Sequence, residues 1–313
     1  TMKGIVLNGT APQLHNSLPI PPIGNREVRV KILYSTVNGH EIERESNRGF
    51  RFLNKLMGAK GKVQTGLEFS GIVESDGKVF SSGEKVLGYV DLARGWKPHA
   101  EYISISEQYL APLPASLSLA DAATLPMSAM TALVALRDIG QITQGTTVLI
   151  LGASGGVGVT AVQIASILGA SITTVAGASH HQLLKDLGAD TVIDYKTTDI
   201  TETDTQYELI LDMTANYRFN QIRHLLTDDG IFIPANPFSA LFDMLLNRKR
   251  IGWLYVDRGD SKMLTELAEW AAAGKLKSVI DSTFDLEDYR AAFDRALSRG
   301  KAGRVLIKIG EVD

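Results

Sequence analysis

The sequence predicts an α/β protein in which a mainly β half precedes a doubly wound parallel sheet. Three observations carry this. From residue 2 to about 126, short apolar stretches are broken repeatedly by Gly and Pro; from residue 146 onward, strand-like runs alternate with helical ones. A glycine-rich turn joins the first of those later runs to a helix.

The first half contributes candidate strands at Gly4–Leu7, Glu27–Val37, Leu67–Val73, Lys85–Val90 and His99–Ile105. In the second half, Thr146–Leu151, Ile172–Val175, Thr191–Ile193, Glu208–Leu211 and Gly230–Pro234 read as strands, with helical segments separating the first four. Strands alternating with helices require long crossovers, and these give parallel pairing. Beyond Tyr255 the pattern mixes both halves: helix over Lys262–Ala273, extended chain over Leu276–Phe284, helix over Leu286–Leu297 and a last strand at Arg304–Ile309.

At 313 residues and 44% apolar side chains, the chain is long enough for two cores. A formal charge of −3 supplies no general attraction for nucleic acid or anionic lipid, so a small-molecule partner is expected, with no nucleic acid and no membrane. The absence of cysteine excludes disulfides, thiolate metal sites and a cysteine nucleophile. No leader pattern opens the chain and no run approaches a membrane span, so a cytoplasmic location is expected.

The sharpest motif is the strand-like Thr147–Leu151 running into Gly152-Ala153-Ser154-Gly155-Gly156-Val157-Gly158 and a helical stretch. Glycines admit close approach of a phosphate, and a helix start offers unpaired N–H donors at its positive dipole end. The same residues satisfy a G-x-S-x-G nucleophile elbow with Ser154 as nucleophile. That reading needs a later His, and the downstream histidines are His180, His181 and His224, all far from the C-terminus. A tight turn without a ligand is the third reading.

A dinucleotide with a free 2′-hydroxyl calls for an acid after the second strand. Ile172 to His181 contains none; Gly177-Ala178-Ser179-His180-His181, with Lys185 beyond, offers hydroxyl, imidazole and ammonium groups suited to a 2′-phosphate. NADPH is therefore the expected cofactor, although the histidines could equally begin a solvated helix.

Several further motifs follow one another along the chain: Val37-Asn38, Gly66-Leu67-Glu68-Phe69-Ser70-Gly71, Ala122-Ala123-Thr124-Leu125-Pro126 leading to Thr131-Ala132-Leu133, Leu187-Gly188-Ala189-Asp190, Val192-Ile193-Asp194-Tyr195, and Gly303-Arg304-Val305-Leu306-Ile307. With the glycine loop, their order resembles the zinc-free quinone oxidoreductases, the ζ-crystallin-like branch of the medium-chain dehydrogenase/reductase superfamily. The resemblance implies a GroES-like β-barrel domain over residues 1–122, a Rossmann domain over 123–257, and a return over 258–313 that completes the first domain. It implies that Thr131, the glycine loop, Ser179 and Tyr195 contact NADPH, that Asn38 is the catalytic residue beside the nicotinamide, and that the protein is a homodimer. Gly177, His180 and His181 join the cofactor site from the 2′-phosphate reading above, where Ser179-His180-His181 lacks the lysine or arginine often used in that branch. Asn38 beside Gly39 also reads as a turn cap, and Tyr195 as a packed residue after a strand.

Gly39-His40-Glu41 departs from the proline and aspartate usual in that branch. Zinc alcohol dehydrogenases of the wider superfamily place a cysteine where this chain has Gly39 and a histidine where it has Leu67, so no metal site is expected and alkoxide stabilisation by zinc is lost. Glu68 reads as a buried structural carboxylate. The chain has no Tyr-x-x-x-Lys pair; His40 alone could donate a proton. Quinones and conjugated enones need little acid assistance because the acceptor delocalises the incoming electron pair. The expected function is hydride transfer from NADPH to such acceptors. Reduction of alkenals or enoyl thioesters is the nearest alternative, and an NADPH-binding sensor or structural protein without turnover is the alternative of another class. A basic segment, Arg44 to Lys62, would cover the cleft by family analogy or be a solvated loop.

Overall fold

The computed structural model describes residues 1–8, 11–38, 63–92, 98–236, 240–247 and 249–312. His40 and the Arg44-to-Lys62 segment lie outside them. The N-terminal half contains β1 (Met2–Asn8), β2 (Ala11–Leu18), β3 (Glu27–Val37), β4 (Val63–Gln64), β5 (Glu68–Val73), β6 (Lys85–Tyr89), β7 (Tyr102–Ser106) and β8 (Leu110–Pro112). β2, β1 and β4 make a small antiparallel sheet. The eleven-residue β3 organises the larger one: Val28, Val30 and Ile32 alternate into a fully buried core with Phe69, Val86 and Ile105. β5 pairs along one edge of β3, while β7 takes the first part of the other edge.

The short helices α1 (Leu119–Ala123) and α2 (Pro126–Leu133) lead into the second half. There, β9 (Thr147–Leu151), β10 (Ser171–Ala176), β11 (Thr191–Asp194), β12 (Tyr207–Asp212) and β13 (Leu226–Pro234) form a five-stranded sheet in the order β11-β10-β9-β12-β13, every pair parallel. Val148-Leu149-Ile150-Leu151 shows why the sheet is doubly wound. Its residues are all buried, but Val148 and Ile150 join a core with Val159 and Val162 of α3 (Gly156–Ile167), whereas Leu149 and Leu151 join Phe219, Ile222 and Phe232 on the other face.

α4 (His181–Asp186), α5 (Phe219–Ile222) and α6 (Leu241–Leu246) complete this half. The tail then supplies α7 (Ser261–Ala272), β14 (Ile280–Asp285), α8 (Tyr289–Leu297) and β15 (Arg304–Lys308). β15 pairs antiparallel with the end of β3, Val305 opposite Val37, so the last strands continue the N-terminal sheet.

The structure adds β2, β4 and β8 to the strands expected from sequence. β2 lacks an apolar alternation and is held by its register against β1; β4 and β8 have two and three residues, too few to show any period. Between β11 and β12 only a 3₁₀ turn at Ile200–Glu202 forms where a helix was expected, capped by the Asp199 carboxylate accepting the Thr201 N–H. Among the described residues, no helix is long and apolar enough to cross a membrane.

Candidate active site

In a doubly wound sheet, ligands bind beyond the carboxyl ends of the strands, where the chain order reverses. Here that point lies between β9 and β12. The glycine loop leaves β9 there, and residues 213–217 leave β12 beside it.

Each glycine of the loop answers a separate steric demand. Gly152 has φ +75°, a left-handed conformation that side chains resist, and a Cβ there would also meet Thr214 Cγ2 at 2.8 Å. At Gly158 a Cβ would collide with the Gly152 carbonyl, so this glycine lets α3 pack close on the strand. Gly155 is the N-cap of α3, and a Cβ there would have only the Gly152 carbonyl nearby, at 3.4 Å. The loop is thus a tight glycine turn from strand into helix start, the form that fits a dinucleotide pyrophosphate.

The C-terminal return grips this cradle. The Gly303 N–H donates to the Ser154 carbonyl at 2.9 Å, and the Gln163 amide of α3 both accepts from the Lys277 N–H (2.7 Å) and donates to the Lys277 carbonyl (3.0 Å). Arg304 follows Gly303, and its side chain is the first thing a Cβ at Gly156 would meet, 2.6 Å from Cδ. Its guanidinium donates to Thr36 Oγ1 (2.6 Å) and forms an ion pair with Glu68, both partners being almost wholly buried. Glu68 also accepts from the Thr36 hydroxyl at 2.5 Å and from the Met127 N–H at 2.7 Å. One buried network thereby joins β3, β5, the start of α2 and β15 to the entrance of α3.

The residues expected at the site fall in three places. Gly152, Ala153, Ser154, Gly155, Gly156, Val157 and Gly158 form the cradle itself. At the end of β10, Gly177 precedes the turn that carries Ser179 and His180, followed by His181. Tyr195, more than half exposed, stands after β11 with its ring 3.5 Å from where a Gly177 Cβ would be, so β10 and β11 bring these two together. Asn38 is buried at the end of β3, two residues beyond Thr36, and Thr131 is half-buried on α2 with its hydroxyl toward Met127 Sδ.

The nucleophile-elbow alternative finds no support in this geometry. Ser154 has an ordinary negative φ rather than the strained turn of an elbow. His181 and His224 use a ring nitrogen on the carbonyls of Ala176 (3.4 Å) and Thr201 (3.0 Å).

Sequence reasoning missed Arg304, Gly303, Thr36 and Gln163 as parts of the site. Only the Gly-Arg pair opening the last strand gave a local signal.

Comparison with known proteins agrees with this architecture. A family profile described as zinc-binding dehydrogenase matches residues 187–307. The chain is 28% identical to a chloroplastic quinone oxidoreductase of Triphysaria versicolor, covering 96% of this chain and 95% of that protein. It is 29% identical to a mitochondrial NAD(P)H oxidoreductase of Mus musculus, covering 91% and 82%. The solved structure of a quinone oxidoreductase from Coxiella burnetii superposes with a TM-score of 0.87 over 99% of both chains at 24% identity, a likeness of fold. Over nearly its whole length the chain is similar to quinone oxidoreductases of the medium-chain dehydrogenase/reductase superfamily. It is an oxidoreductase, and its fold is the α/β fold of that superfamily, a parallel Rossmann sheet beside two separate, mainly antiparallel sheets.

Proposed function

We propose that this medium-chain oxidoreductase uses NADPH to reduce quinones or conjugated enones without zinc. The carrying observation is the glycine loop at the start of α3, flanked by a β10 end that carries hydroxyl and imidazole groups and no carboxylate. Zinc independence rests on the lack of any cysteine and on Leu67 beside Glu68, whose carboxylate is fully engaged by Arg304, Thr36 and Met127.

When bound, NADPH supplies hydride. The chain's contribution is placement. Backbone N–H groups at the start of α3 take the pyrophosphate, Gly177, Ser179, His180, His181 and Tyr195 surround the 2′-phosphate, and Thr131 and Asn38 face the nicotinamide end. A conjugated acceptor delocalises the electron pair it receives, and water supplies the proton, so orienting two flat π-systems is the main demand on the protein.

The partner we propose besides the small-molecule substrate is a second copy of the chain. Leu241, Leu245 and Leu246 on α6 and Trp253 and Tyr255 beside the edge strand β13 are all more than a third exposed. Light scattering should give twice the chain mass, and Leu245→Asp should shift it toward the monomer.

Loss of absorbance at 340 nm tests the reaction, with NADPH or NADH against 1,4-benzoquinone, 9,10-phenanthrenequinone and an enone, each with and without chelator. Chelator-resistant turnover that prefers NADPH is expected. NADPH binding with no oxidation by any acceptor would replace this reading with that of a nucleotide sensor or structural protein.

A further inference from the structure

The loop after β12 is built around a buried carboxylate that nothing above uses. Asp212 is fully buried as the last residue of β12, and its Cα is opposite that of Leu151, the residue before the glycine loop. One carboxylate oxygen, Oδ1, accepts both the N–H and the hydroxyl of Thr214, at 2.8 and 2.6 Å, while Oδ2 accepts the Tyr217 N–H at 3.3 Å. The chain turns so tightly around this group that Ala215 sits at φ +55°, which side chains adopt only when their surroundings force it. Burial pushes the carboxyl's pKa up, against the pull of these donors, which favour the charged form.

The loop's position gives the arrangement a purpose. The Thr214 methyl lies 2.8 Å from where a Gly152 Cβ would stand, and the Met213 N–H donates to the Leu151 carbonyl at 3.0 Å, so the loop leans on the first glycine of the cradle. If the β10 end reads the adenine ribose and the cradle holds the pyrophosphate, the remaining half of the dinucleotide runs toward β12. We infer that Asp212 is a positioning residue for the nicotinamide half of the cofactor, holding residues 213–217 as the wall of the crevice opposite the glycine loop. The inference rests on the NADPH reading above.

Two ligands separate this role from general support of the fold. NADPH spans both halves of the crevice; adenosine 2′,5′-bisphosphate fills only the adenine half. Titrations by calorimetry on the full chain compare the wild type with Asp212→Asn, whose amide nitrogen cannot accept the Tyr217 N–H, and with Thr214→Val, which keeps the methyl against Gly152 but loses the hydroxyl.

The NADPH dissociation constant should rise roughly tenfold in each variant, the effect of losing a hydrogen bond to a charged group, while that of the bisphosphate changes by less than about twofold. The half-exposed position of Thr214 lets its variant carry the test should D212N not fold. Unchanged NADPH affinity in the variants, or parallel loss of both ligands, would overturn the inference alone. A wild-type chain that binds neither ligand would overturn the cofactor reading and this inference with it.

Discussion

The N–H of Gly303 donates to the carbonyl of Ser154 across 2.9 Å, tying the segment before β15 to the middle of the glycine loop. Gly303 has φ +75°, and a Cβ there would collide with the Val279 carbonyl. Gly303→Ala should therefore destabilise the protein by about 2–3 kcal/mol and weaken NADPH binding, because the cradle loses its external tether. Urea unfolding and a cofactor titration on the same preparation check both expectations.

Arg304 and Glu68 form an ion pair deep in the protein, with side-chain exposures of 7% and 0%. Removing one partner strands a buried charge. Glu68→Ala should cost about 3–5 kcal/mol, and combining it with Arg304→Met should recover a substantial part. Unfolding of the two single variants and the double variant gives the coupling directly.

Cofactor choice should turn on Gly177. Its φ of −70° suits any residue, and a Cβ would sit in ordinary contact, 3.5 Å from the Tyr195 ring. Gly177→Asp places a carboxylate where a 2′-phosphate is expected, repelling it while accepting the hydroxyls of an unphosphorylated ribose. The kcat/KM ratio for NADPH over NADH should fall roughly 10- to 100-fold, the equivalent of about 1.4–2.7 kcal/mol.

Acid should destabilise the protein in part through Glu107. Glu107 is almost fully buried; burial raises its pKa, but the N–H groups of Phe80, Val79 and Lys78 outweigh that and hold it below the usual carboxylate range. With the folded value depressed, the unfolded chain takes up the proton first as pH falls. The stabilisation is complete at neutral pH and is lost from roughly pH 5 downward, through the folded value. Melting temperatures between pH 7 and 3 should show this loss, and Glu107→Gln should be less stable at neutral pH with a shallower acid limb.

How far the sequence discloses this molecule depends on the range of each interaction. The apolar run Val148–Leu151 and the glycines after it are a local pattern, legible because backbone sterics and strand length set it within a dozen residues. β2 was not legible, since its place depends on pairing with β1 rather than on its own alternation. Glu68 and Arg304 meet across 236 positions, and no spacing rule connects them. Asp212 merely follows the strand-like run Glu208–Leu211 in sequence, and only the turn wrapped about its carboxylate singles it out.

The placement of β15 between β14 and β3 bears on how the protein is made. Val37 waits for Val305, so during synthesis the far end of β3 must leave the ribosome long before its neighbour exists. The parallel sheet of β9 to β13 depends on no later strand and can assemble in the interval, whereas the edge of β3 stays open to mispairing until translation is nearly over. Premature termination between β13 and β15 would then release a nascent chain with a complete parallel sheet and an unsealed, aggregation-prone partner.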